Sequence, residues 1–128
     1  MKITQKMLDV LILNYNPKDP EELIWTQRCY DMFMLLNDRT SKATKSPYKL
    51  KSAFELAIGE YVSTWSCVFG AILAGYKIGQ GQKPLPNYCP LIGCTSRVYT
   101  KLYRIAYNRE KQKISKSTEY CIDSSTVL

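Results

Sequence analysis

The chain has 128 residues, 45% of them hydrophobic, which gives one domain enough apolar material for a core and leaves too little for two. That content, with ten tyrosines spread along the sequence, excludes a chain that is disordered throughout. The formal charge of +7 is divided unevenly: residues 1–38 carry four basic and six acidic side chains, whereas residues 39–128 carry 14 basic and five acidic ones. A field with that asymmetry attracts phosphates or an acidic protein surface.

Taken in order, Thr4 caps a first helix running to about Leu13, with Met7, Leu8, Leu11 and Tyr15 on its buried side. Residues 16–20 break it. Asp19 then stands as N-cap, Pro20 at the first helical position, and Glu21 and Glu22 against the positive end of the dipole of a second helix reaching about Asn37. Within that helix Met32 to Leu36 is a continuous apolar run whose periodicity fits a buried strand as well as a helix. Asp38 to Lys51 has the composition of a loop, and its Arg39, Lys42, Lys45, Lys49 and Lys51 make it a cationic one that orders on meeting an anion.

Ser52 and Glu55 have the spacing of a capping box and open a long third helix to about Ile78. Its Phe54, Ile58, Tyr61, Trp65, Val68 and Ile72 recur at steps of four and three, forming one apolar stripe. Ser63, Cys67, Gly70 and Ala74 form a second stripe of small residues, which lets another backbone approach closely, either a neighbouring helix of the same chain or a second copy in a homo-oligomer. The uncharged stretch Tyr61 to Tyr76 is shorter than the roughly 20 residues a bilayer needs, so no membrane partner is expected. Residues 79–87 make an extended connection, and Thr95 or Ser96 caps a fourth helix reaching about Lys113. On its wheel Val98, Leu102 and Ile105 form the apolar centre, Tyr99, Tyr103 and Tyr107 a flank, and Arg97, Lys101, Arg104 and Lys111 the opposite side. The fold class expected is all-α: a compact bundle of about four helices in one domain, residues 1–113, with residues 114–128 as a flexible tail.

The sequence contains no histidine, which removes the most frequent general base, proton shuttle and metal ligand together. Ser-His and Cys-His nucleophile pairs cannot be built. The acidic residues concentrate at helix starts, where capping explains them, except Glu60 on its apolar helix. Gly75, Gly79 and Gly81 follow a helix instead of preceding one, so they cannot cradle a phosphate as a glycine-rich loop does. Cys89 and Cys94 enclose four residues, but a zinc site there would need two scattered thiolates from Cys29, Cys67 and Cys121. Cys94, close to a helix start and to Arg97, is placed for a somewhat lowered pKa. Five cysteines behind an amphipathic start, instead of an apolar leader, point to the cytoplasm and to reduced thiols.

No catalytic residue, metal or cofactor is therefore expected. The residues left to act are cations and rings: Arg39, Lys42, Lys45 and Lys49 in the loop, and Arg97, Tyr99, Lys101, Tyr103, Arg104 and Tyr107 on the fourth helix. Cations contact phosphates and flat rings stack on bases or nucleotides. The reading is a small binding protein with a macromolecular target, protein or nucleic acid, or a phosphate-bearing ligand. The alternative is a nucleic-acid-binding module built from the loop and the fourth helix. In its small size and its richness in Lys, Ile and Tyr the chain resembles the accessory proteins of phages and mobile elements, which implies inhibition of a host defence system by blocking or sequestering a host macromolecule.

Overall fold

A computed structural model of the chain describes residues 1–17, 21–79 and 89–126, with side chains up to residue 113. Among the described residues there are five helices, α1 (Gln5–Tyr15), α2 (Leu23–Leu36), α3 (Pro47–Ile58), α4 (Thr64–Leu73) and α5 (Arg97–Thr126), and one two-stranded antiparallel ribbon, β1 (Ile78–Gly79) and β2 (Leu91–Ile92). The predicted cap at Asp19 and Pro20 and all but Gly79 of the predicted connection 79–87 lie outside the described residues, as do the side chains beyond residue 113, that of Cys121 included.

Thr4 starts α1 as its sequence predicts: its Oγ1 accepts from the Met7 N–H at 3.3 Å, and Asn16 in the left-handed conformation ends the helix. Leu8 and Leu11 are buried against Phe69, while Tyr15 covers the Trp65 and Phe69 rings at centroid distances of 5.8 and 6.0 Å. The residues before α1 are tied down by one side chain. Gln27 accepts from the Ile3 N–H at 2.6 Å and donates to the Met1 carbonyl at 3.1 Å, which seats Ile3 in the core.

Helix α2 begins at Leu23, three residues later than Pro20, and Glu22 provides no side-chain cap. Glu21 serves another helix. It accepts from the hydroxyls of Ser63 and Ser66 at the start of α4, where a carboxylate meets the positive end of that helix dipole. Met32 to Leu36 is helical, so the strand alternative is settled.

The long third helix of the sequence reading is two helices. Pro47, with its fixed φ, occupies the first turn of α3 just after Ser46, so the helix starts five residues before Ser52. It stops at Gly59, whose φ of 85° suits a residue without Cβ, and Ser63 then caps α4 by accepting from the Ser66 N–H at 2.9 Å. The apolar stripe through Phe54 and Ile72 keeps its spacing across this break but not one axis, and Tyr61 is left exposed beside it. Phe33 sits where the pieces converge, 4.7 Å from both the Phe54 and Tyr76 ring centroids.

The small residues act between helices of the same chain. A Cβ on Gly70 would lie 2.7 Å from both the Cys29 Cβ and the Tyr30 backbone nitrogen, so α4 meets α2 backbone to backbone. Ser63, Cys67 and Ala74 are buried as well, which removes this stripe from the surface where it was expected to offer a homo-oligomer contact.

The segment between α2 and α3 is paired, not free. Lys45 bridges Ile92 with hydrogen bonds of 3.1 and 2.9 Å, and the Thr40 N–H donates to the Gly93 carbonyl at 3.0 Å, so this segment flanks β2 on the side opposite β1. Helix α5 lies mainly against α3, burying Val98 and Leu102. Its backbone continues past the expected end at Lys113 to Thr126.

Candidate binding surface

Three predicted or neighbouring cations reach carbonyls at the ends of helices. None of α2, α3 and α4 carries a basic residue in its last turn, and each has carbonyls there that no intrahelical N–H reaches. Lys101 Nζ donates to the Leu36 carbonyl at the end of α2, at 3.3 Å. Arg109 Nη2 donates to the Leu56 carbonyl near the end of α3, at 2.7 Å, and Arg39 Nε to the Ala74 carbonyl at the end of α4, at 2.8 Å. Each cation also faces the negative end of a helix dipole. Arg39 is held further by Asn37, by the Met34 sulfur at 3.2 Å, and by the Tyr76 ring 4.9 Å below its guanidinium.

Lys45 takes part in the bridge to β2 and is half-buried, whereas Lys42 is exposed. Lys49 reaches α5: its Nζ stands 4.5 Å from the Tyr99 ring centroid, a cation–π contact. Burial pushes the Tyr99 hydroxyl up to about 12, so this ring stays neutral and acts as a platform.

What remains on the outer half of α5 is a coherent surface. Tyr103 and Tyr107, one turn apart, are 48% and 66% exposed. Arg97 and Arg104 are exposed nearby and make no ion pair among the described residues, and Lys111 continues their line. By contrast Lys113 lies 3.7 Å from Glu110. Of the ten residues predicted for binding, the structure gathers Lys49, Arg97, Tyr99, Tyr103, Arg104 and Tyr107 on or against α5. Arg39 and Lys101 are engaged through their side chains, and Lys45 is paired through its backbone.

The remaining reactive groups have structural surroundings. Glu60 pairs with Arg28, which accounts for a carboxylate on an apolar stretch. Cys29, Cys67, Cys89 and Cys94 are buried free thiols. Burial pushes Cys89 and Cys94 up to about 11 and Cys67 well above its ordinary value, the reverse of the lowered pKa expected for Cys94. Among the described residues no group of three or more Cys, Asp or Glu is placed to hold a metal ion, and no helix is long and apolar enough to cross a membrane. Sequence reasoning missed Arg109, whose only signal was its position one turn beyond Ile105 on the buried face of α5. Comparison with known protein families, with curated proteins and with solved structures finds no match.

Proposed function

We propose that this is a small non-enzymatic binding protein that captures an anionic macromolecular target on the outer half of α5, blocking or sequestering it. The observation carrying the reading is the exposure of Tyr103 and Tyr107 beside Arg97 and Arg104. Large rings left in water and guanidinium groups without an ion pair among the described residues are the side chains that contribute most when a partner desolvates them. A sequence without histidine, whose buried thiols are held protonated, supports binding over catalysis.

A nucleic-acid target is the second reading, favoured by the spacing of the rings. Tyr99, Tyr103 and Tyr107 recur every four residues, about 6 Å along the helix axis, with cations alongside. Bases of a single strand stack on such rings while phosphates meet the cations.

Capture of targets on the immobilised protein, with and without nuclease, separates the two readings, and a salt titration of the captured complex measures the ionic share. An acidic protein target survives nuclease and is lost from an Arg104→Ala/Tyr107→Ala variant. A nucleic-acid target disappears with nuclease, and its affinity falls steeply with salt. Capture that this double substitution leaves unchanged removes α5 from the account.

A further inference from the structure

Helix α2 carries an outer face that no other helix covers among the described residues, and its pattern is its own complement. Ile24, Arg28, Asp31 and Leu35 follow one another at steps of four, three and four, which places them along one line of the helix. The two apolar residues at the ends of this line are 51% and 69% exposed. Between them stand one cation and one anion. Grooves flank the line at opposite ends: one of about 530 Å³ beside Ile24, between Ile3, Leu23 and Gln27, and one of about 400 Å³ beside Leu35, between Met32, Ile58 and Glu60.

We infer that this face is the interface of a symmetric homodimer in which two α2 helices pack antiparallel. A two-fold contact requires that whatever residue one copy presents, the other copy answers it at the exchanged position. Antiparallel pairing meets this condition along the whole line. Ile24 comes opposite Leu35 of the partner subunit, and Arg28 comes opposite Asp31 of the partner subunit. The same symmetry sets each Leu35 facing the groove beside Ile24 and each Ile24 facing the groove beside Leu35. Parallel pairing would set Arg28 against Arg28 and Asp31 against Asp31, so charge selects the antiparallel arrangement.

The ionic groups have capacity left for this exchange. Arg28 meets Glu60 through Nη1, and Asp31 accepts from Gln27 through Oδ1 at 2.9 Å, which leaves other donors on the guanidinium and Oδ2 on the carboxylate. Global charge favours the same face. Two copies each of +7 repel through their cationic regions, whereas residues 1–38, which contain α2, hold the acidic excess. The inference does not rest on the α5 reading, since the two surfaces share no residue.

Sedimentation equilibrium on the full chain and on charge-reversed variants tests it. The wild type is expected to be a dimer. Arg28→Asp and Asp31→Arg each set like charges across the two-fold, so each alone dissociates about tenfold or more easily. Mixed in equal amounts, these two variants restore opposite charges at every contact and are expected to associate with each other more tightly than either does with itself. Leu35→Ser, at a site too exposed to affect folding, weakens the dimer by a similar factor, and circular dichroism checks that all variants keep their helix content. A wild type that stays monomeric up to millimolar concentration overturns the inference. So does an equal mixture that fails to associate, or a Leu35→Ser protein that dimerises as the wild type does.

Discussion

The Tyr76 hydroxyl donates to the Phe33 carbonyl at 2.7 Å, which fixes the turn after α4 to the last turn of α2. The same oxygen accepts from the Asp38 N–H at 2.9 Å, so one buried phenol satisfies a carbonyl and an amide where α2 gives way to the following segment. Tyr76→Phe keeps the ring packing on Phe33 and leaves both backbone groups without this partner. The expected cost is about 1–3 kcal/mol, read as a lower urea midpoint with an unchanged far-ultraviolet spectrum.

Alkali is expected to destabilise the fold through its buried thiols. Burial raises Cys89 and Cys94 to about 11 and raises Cys67 and Tyr76 above their ordinary values of 9.0 and 10.0. In each case the folded state prefers the neutral form. The stabilisation is fully present below the unfolded thiol value of about 9 and is lost as pH rises through the folded values near 11. Urea midpoints are therefore level between about pH 7 and pH 8.5 and fall between about pH 9 and pH 11. Replacing both Cys89 and Cys94 by Ala flattens that fall, and an unchanged slope in this variant would contradict the assignment.

Gly70 tests the contact between α2 and α4. Alanine is the better helix former by about 1 kcal/mol, so an exposed site would gain from the exchange. Here the new Cβ meets the Cys29 Cβ and the Tyr30 nitrogen at 2.7 Å, one of them a backbone atom that cannot swing aside. Gly70→Ala is expected to lose about 1–3 kcal/mol net, and Gly70→Val more, in thermal or urea unfolding.

Cations of the two kinds separate by mutation. Lys101→Met removes the donor to Leu36 and is expected to lower stability by about 0.5–1 kcal/mol while changing target binding little. Arg104→Ala, at an exposed position without an ion pair among the described residues, stays within about 0.5 kcal/mol in stability and weakens binding. Paired measurements of unfolding and of affinity on both variants check this. Reversed effects would exchange the two roles.

Much of the helical pattern was legible because it is local. Thr4 as a cap, the apolar side of α1 and the Val98 to Ile105 seam depend on residues within a turn or two of each other. The demand that Gly70 have a close neighbour was legible too, although its identity, Cys29 and Tyr30, was not. The break at Gly59 escaped because apolar spacing through Tyr61 and Trp65 stays in phase across it, and periodicity registers phase, not continuity. Ser52 with Glu55 has the spacing of a capping box, yet Pro47 after Ser46 begins the helix a turn earlier, and Glu55 pairs with Lys51 at 2.7 Å. Glu21 read as a partner of its own helix and serves α4 instead. The binding surface was legible as a set of residue types on a wheel. Which cations were already engaged was not, since a bond from Lys101 to a carbonyl far along the chain leaves no local trace.

The carbonyl ends of α2 and α3 receive their cations from residues 65 and 53 positions further on. During synthesis both helices leave the ribosome well before Lys101 and Arg109 exist, so in that interval their C-termini are hydrated and the segment meant to cover them has not been made. Helix formation is early, and closure is late. Closure of these two helix ends is therefore expected to await α5, and the long sequence separation of its contacts slows assembly relative to what the helix content alone would predict.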